Sequence, residues 1–407
     1  MRYDPRQHTA RHTDAYVFSQ LVPYLGSKRH LLDLIGAAID STGLDPAHST
    51  FVDAFAGSGV VSRYAKQRGF AVVSNDWEPY ARVLNTAAIA CDEAPPCATL
   101  GGYEQALEAL NATPDREGWV TNNLCPADDT APDASRERLF YRRATGRRLD
   151  AIRSRIAEWQ HDDQLDDAAA CCLLAPLLYQ ACWLANTSGV FKGFHAGWGG
   201  SNGTALHRIL ADLRLSPARF LATGRPQRVL ALDAELLPTT LEQPADLVYL
   251  DPPYNQHPYA SNYHVLNSLV LWDEPVLPCP TTRGSKAAIR TDWPARRSAW
   301  NHRSRAHAAY ERLLARFDAP FVLTSYSTDG TIPVEVLVAT AGERGALTVF
   351  CRSYKRYRTS PTRPSARARN VEFVLCCDTR RARTCGDVER VLERIHASSA
   401  EAITSRK

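Results

Sequence analysis

Asp246-Leu247-Val248-Tyr249-Leu250-Asp251-Pro252-Pro253-Tyr254 is the stretch that orders the rest of this 407-residue chain. Its first five residues form an apolar run with β-branched and aromatic members, the pattern of a buried strand. Two prolines cannot continue a central strand, so the backbone must leave the sheet at Asp251. An acid, a rigid turn and an aromatic ring therefore stand at the carboxyl end of a strand. In open α/β sheets that edge is where ligands bind.

These residue types suit one kind of substrate atom. The lone pair of an exocyclic nucleobase amine is delocalised into its ring, so the amine is a poor nucleophile. Asp251 can accept one of its N–H bonds, and the Pro252 carbonyl can accept the other, since proline loses its donor but keeps its acceptor. Pro252 and Pro253 fix φ and preorganise that carbonyl. Tyr254 offers a face on which an extruded base can stack. Alone, the same four residues also describe a proline-rich loop with an Asp cap and a core Tyr.

Upstream, Thr50-Phe51-Val52-Asp53-Ala54-Phe55-Ala56-Gly57-Ser58-Gly59 leads into a helix running to about Arg68. Strand, glycine turn and helix open a nucleotide-binding βαβ unit. Gly57 and Gly59 have no Cβ, so a ligand can lie against their backbone. A second strand, Phe70 to Ser74, ends at Asn75-Asp76-Trp77. Asp76 is suited to ribose hydroxyls, and Trp77 to packing on an adenine face. Ser62 stands where a dinucleotide fingerprint would have its third glycine. That disfavours a pyrophosphate and favours a nucleoside cofactor without phosphates, of which S-adenosylmethionine is the common one. A third strand ends at Asp233, read equally as an acceptor for the adenine amino group or as a turn residue. Near the start, Val22-Pro23-Tyr24-Leu25-Gly26-Ser27-Lys28-Arg29 is a loop leading into a helix. Gly26 there permits close backbone approach, and Lys28 taken alone is a surface lysine.

Between the second and third strands the character changes. Arginines recur at helical spacing from Arg136 to Arg155, on a face either solvated or in contact with phosphates. An apolar helix, Ala168 to Leu184, precedes a glycine- and aromatic-rich loop containing Lys192 that suits a flat ligand or a DNA backbone. His264 reads as a helix-end residue rather than a base. A basic, irregular stretch covers Thr281 to Arg305. A fifth strand, Pro320 to Ser325, is followed by a hairpin of Ala346 to Cys351 and Val371 to Cys377. Its connection carries Arg352, Tyr354, Lys355, Arg356, Tyr357 and Arg358, then Arg363, Arg367 and Arg369, an interleaving expected of a nucleic-acid contact loop.

The bulk composition adds bounds. The 48 basic and 44 acidic residues give a formal charge of +4, too small to indicate a partner by itself. The 11 cysteines form no matched Cys-x-x-Cys pairs, so no metal is expected. Cysteines within apolar runs imply a reducing, cytoplasmic compartment. No segment is apolar for long enough to span a bilayer, and residues 1–20 lack a signal core.

With its motifs in this order, the chain resembles the Dam-like α-group of adenine-N6 DNA methyltransferases. The likeness rests on Pro23-Tyr24-Leu25-Gly26-Ser27-Lys28, Val52-Asp53-Ala54-Phe55-Ala56-Gly57-Ser58-Gly59, Ser74-Asn75-Asp76 and Asp251-Pro252-Pro253-Tyr254. The segment Asn255 to Leu269 and Ser325-Tyr326-Ser327 are similar too. The resemblance implies that Tyr24, Lys28, Asp53, Phe55 and Asp76 contact S-adenosylmethionine and that Asp251 to Tyr254 hold the target adenine. It implies a doubly wound α/β core of seven strands with the last antiparallel. Residues 21–94 and 228–379 would form that core, 95–227 a mostly helical target-recognition insertion, and 1–20 and 380–407 terminal arms. The longer insertion and the Gly193 to Gly200 loop look closer to methyltransferases of restriction-modification systems. The expected partners are double-stranded DNA and a cognate restriction endonuclease, with no membrane and no metal. Two rivals are an enzyme acting on an exocyclic amine in RNA and a non-catalytic DNA-binding subunit with a methylase fold.

Overall fold

A computed structural model describes residues 14–200, 202–355 and 369–404. Seven strands form one sheet in the order β3-β2-β1-β4-β5-β7-β6. They are β1 (Thr50–Asp53), β2 (Ala71–Asn75), β3 (Gln227–Leu230), β4 (Leu247–Leu250), β5 (Phe321–Ser327), β6 (Ala346–Lys355) and β7 (Arg369–Asp378). The pairs β1–β2, β1–β4, β2–β3 and β4–β5 are parallel. Only β7 runs against its neighbours, wedged between β5 and β6. This is the doubly wound α/β sheet with an antiparallel last strand expected from the sequence.

Both faces of the sheet are covered, which is why its strands read as continuous apolar runs. Along β4 the side chains alternate between faces. Leu247 and Tyr249 join Phe51, Val72 and Leu323 in a core under the helices Leu32–Asp40 and Val60–Gln67. Val248 and Leu250 join Val52, Val322 and Tyr310 in the opposite core, under Ala306–Arg316 and Val334–Gly342.

Among the described residues no strand lies between Asn75 and Gln227. That segment is built around the helix Asp167–Trp183, whose N-cap Asp166 accepts from Ala169 N at 2.7 Å. Its apolar core runs on without a break into Tyr80, Leu84, Tyr263 and Leu266, so the helical segment and the sheet's own helices share one interior. No helix among the described residues is long and apolar enough to cross a membrane.

Several arginines of the run are turned inward, whereas Arg136, Arg147 and Arg155 keep much of their side chains exposed. Arg153 is 4% exposed and donates to the Leu269 carbonyl at 2.6 Å. Arg138 donates to the carbonyls of Lys286 and Ser285 at 3.2 and 3.1 Å. Arg143 and Arg147 share Glu117, and Arg148 donates to the carbonyls of Leu110 and Asn111. Buried guanidinium groups need acceptors, and helix ends with unpaired carbonyls supply them. Periodicity alone cannot show which way such a face points.

Candidate active site

β1, β2 and β4 end on one edge of the sheet, and a cavity of about 230 Å³ opens there. Its wall includes Tyr24, Gly26, Lys28, Asp53, Phe55, Gly57, Asp76, Trp77 and Asp233. It also includes Asp251, Pro252, Pro253 and Tyr254. Gly59 is the one expected ligand-turn residue that does not reach the wall; it takes φ +79° at the start of the following helix. The glycine turn and the Asp-Pro-Pro-Tyr turn therefore face a single space.

Local chemistry explains each placement. Gly57 has φ +52°, the left-handed region, and a Cβ there would come within 2.6 Å of the Tyr24 ring. Only glycine fits both constraints. The Tyr24 ring is held by stacking on Tyr259 (centroids 5.1 Å apart) and Tyr263 (5.0 Å). Tyr263 also accepts from Leu25 N at 2.7 Å. The loop carrying Tyr24 and Gly26 is thus fastened to the segment after the Asp-Pro-Pro-Tyr turn.

Asp76 accepts from Gly57 N and Glu78 N, both at 2.9 Å, which fixes the carboxylate beside the turn. Burial raises its carboxyl to about 6, against those two backbone hydrogen bonds. Asp53 is 1% exposed. Its Oδ2 accepts from Ser62 at 2.7 Å, and among the described residues its buried Oδ1 has no hydrogen-bond partner. Burial lifts the Asp53 carboxyl to about 7; Ser62 opposes this, and Asp251 and Asp76 add to it. Asp233 lines the cavity, and its Oδ1 accepts from Glu235 N at 3.0 Å as a turn residue does.

Lys28 is not a surface lysine. It is 3% exposed, donates to the Gly26 carbonyl at 2.8 Å, and lies 2.9 Å from Asp251 Oδ1. Its ammonium also sits 4.6 Å from the centre of the Tyr254 ring. The Tyr254 hydroxyl donates to the same Asp251 oxygen at 2.9 Å. Asp251 is raised above its ordinary range by burial, with Lys28 and Tyr254 opposing. Among the described residues no donor reaches the Pro252 carbonyl. The Tyr254 carbonyl accepts from Thr331 N at 3.0 Å and from its hydroxyl at 2.7 Å, which pins the turn to the loop after β5.

Among the described residues, five carboxylates line the cavity (Asp53, Asp76, Glu78, Asp233 and Asp251), with Lys28 as the single Lys or Arg, already bound to Asp251. Phosphates would be repelled there and a cationic nucleoside attracted. S-adenosylmethionine, with a sulfonium and an ammonium, has that character, and Asp53 Oδ1 offers a buried acceptor still open.

Sequence reading missed several wall residues: Glu78, Tyr259, Trp300 and Asn301. Trp300 meets Phe55 edge-on at 5.1 Å. Asn301 donates to the Asn255 carbonyl at 3.0 Å. Both lie in the stretch read only as basic and irregular. His264 begins the helix His264–Leu271, 1% exposed, with Nε2 2.9 Å from the Phe191 carbonyl.

Among the described residues, none of those expected to touch DNA lines this cavity. Lys192 lines a separate groove. Arg352 lies within β6 and is paired with Asp33, Nη1 to Oδ1 at 2.7 Å. Tyr354 and Lys355 end β6, and Arg356, Tyr357, Arg358, Arg363 and Arg367 lie outside the described residues.

Comparison with known proteins accords with this geometry. The chain is 29% identical over 351 residues to the type II methyltransferase M.NlaIII of Neisseria lactamica, covering 86% of this chain and 96% of that protein. It is 27% identical to the modification methylase LlaI of Lactococcus lactis subsp. lactis over 363 residues, 86% of this chain and 54% of that one. To the type II methyltransferase M.FokI of Planomicrobium okeanokoites it is 25% identical over 341 residues, 83% of this chain and 50% of that one. The chain thus spans about half the length of these last two. Residues 24–281 match the family described as D12 class N6 adenine-specific DNA methyltransferase, and the chain belongs to that family.

Proposed function

We propose that the chain transfers a methyl group from S-adenosylmethionine to N6 of an adenine flipped out of double-stranded DNA. The observation that carries this reading is the single cavity shared by the Gly57 turn, Asp76 and Asp251. Tyr24, Gly26, Asp53, Phe55, Gly57, Asp76, Trp77 and Asp233 would hold S-adenosylmethionine, which supplies an electrophilic methyl group when bound. Gly59 would act by shaping the turn.

Lys28 and the Tyr254 hydroxyl both approach Asp251 Oδ1. Oδ2 is then the oxygen that receives one adenine amine N–H, and the Pro252 carbonyl receives the other. Two fixed acceptors direct the nitrogen lone pair towards the methyl donor without reorganisation. Pro253 stiffens the turn, and Tyr254 supplies the ring against which the extruded base rests. The methylated amine is acidic, so no strong base is required, and the burial-raised carboxyl of Asp251 can take the proton transiently.

Residues 95–227 would read the DNA sequence, and a modification role like that printed in the name of the modification methylase LlaI fits this reading. The test is tritiated S-adenosylmethionine offered with plasmid DNA and with ribosomal RNA. Label should enter N6 of adenine in the plasmid. The Asp251→Ala chain should bind S-adenosylmethionine normally by calorimetry and transfer at least about a thousandfold more slowly. Label in RNA alone, or full turnover by Asp251→Ala, would overturn the reading.

A further inference from the structure

A second concavity, of about 380 Å³, adjoins the active-site cavity and shares Asn301 with it. Its lining includes Lys192, His257, Trp293, Arg297, His302 and Arg303, and among the described residues no Asp or Glu. We propose that this groove binds the DNA phosphodiester backbone next to the flipped adenine and so positions that nucleotide over Asp251. The inference rests on the functional reading above and names the part of the protein that grips the strand.

Three observations support it. The charges of the two spaces are opposite: carboxylates line the active-site cavity, and cations line the groove. A base with its backbone needs such a division, one neutral-to-acidic hole for the purine and one basic track for its phosphates. The groove's cations are also uncommitted. Among the described residues, Lys192, Arg297 and Arg303 form no ion pair with a carboxylate. Lys192 Nζ instead lies 3.3 Å from His257 Nδ1, and the Arg297 guanidinium sits 5.3 Å from the centre of the Trp293 ring. A cation facing an imidazole or an indole keeps its donors open to an incoming anion.

The third observation is mechanical continuity. Asn301 Nδ2 donates to the Asn255 carbonyl, directly after the catalytic turn. Arg290, in the same irregular stretch, is 6% exposed and grips Asp273 at 2.7 and 2.6 Å. The stretch is therefore anchored at both ends, so a phosphate seated on it has a fixed place relative to Asp251.

The experiment uses the full chain with Lys192→Gln, Arg297→Gln and Arg303→Gln combined, and Arg390→Gln, which pairs with Asp387 in the last helix, as a control away from the groove. Binding of a fluorescent 30-base-pair duplex is followed by anisotropy across a salt series. Each lost phosphate contact lowers the slope of log K against log salt by about 0.9, so the triple variant should lose between about two and three. Its KM for plasmid DNA should rise more than about tenfold with kcat little changed, and S-adenosylmethionine should bind as in the unaltered chain, which reports an intact fold. Arg390→Gln should leave slope and KM in place. An unaltered slope and KM in the triple variant would overturn the proposal. The anisotropy arm needs no turnover, so it judges the groove even if the unaltered chain fails to methylate duplex DNA, a result that would instead defeat the functional reading.

Discussion

Replacing Asp53 by asparagine should remove a pH dependence that the ligand-free protein stores in one side chain. Burial raises the Asp53 carboxyl from its ordinary 3.8 to about 7. In the unfolded chain the same group titrates near the ordinary value. The gap is about 3 pH units, which at roughly 1.4 kcal/mol each corresponds to about 4 kcal/mol. The sign follows from proton binding. Between about pH 4 and pH 7 the folded state holds this proton more tightly than the unfolded state. Stability from this group is therefore fully present below about pH 4 and is lost as pH rises through about 7. The Asp53→Asn chain has no such proton. Its stability relative to the unaltered chain should rise by about 3 kcal/mol between about pH 5 and pH 8. Urea unfolding followed by circular dichroism at several pH values measures the difference. A difference flat to within about 0.5 kcal/mol would mean an ordinary carboxyl at position 53 and would refute the reasoning about the acidic cavity. Because S-adenosylmethionine is cationic, saturating amounts should reduce the decline of the unaltered chain, since the ligand favours the ionised carboxylate.

Two further outcomes follow from the same geometry. Lys28→Met leaves a carboxylate without its cation; breaking such a pair costs about 3–5 kcal/mol if the charge stays. Asp251 escapes by protonating, so the acidic limb of the methylation–pH profile should move to higher pH. A profile that overlays the original would exclude the Lys28–Asp251 pair as a determinant of activity. Gly57→Ala forces a left-handed φ on alanine and drives its Cβ into Tyr24, a strain of about 1–3 kcal/mol. Calorimetry should show S-adenosylmethionine binding weakened at least about tenfold, and undiminished affinity would contradict the role assigned to the turn.

Most of the sheet was legible because each strand is a short apolar run closed by a polar or proline-containing turn. The runs ending at Asp53, Asn75 and Leu250 mark the edge where the cavity lies. Asp251 and Asp76 could be picked out because a carboxylate at a strand end has few other uses. What escaped was whatever depends on distant partners. Nothing local to Lys28 shows that Asp251, far along the chain, will bury it. Tyr259 and Tyr263 look like ordinary helix residues until Tyr24 stacks on them. The arginines from 136 to 155 have the spacing of a surface stripe, yet Arg138, Arg148 and Arg153 donate to carbonyls in remote segments. Trp300 and Asn301 were hidden inside a stretch whose charge drew attention from its uncharged members.

The position of β7 has a consequence for how the molecule is made. The strand that separates β5 from β6 is the last of these seven to leave the ribosome, so a growing chain carries β5 with one side unzipped through the synthesis of β6. Such an exposed edge invites pairing with another nascent copy. Completion of the sheet then waits for residue 378, long after the glycine turn and Asp251 have emerged. Chains cut short within the final hairpin should be found in inclusion bodies rather than as weakly active enzymes, and slowing translation ahead of it should worsen the yield.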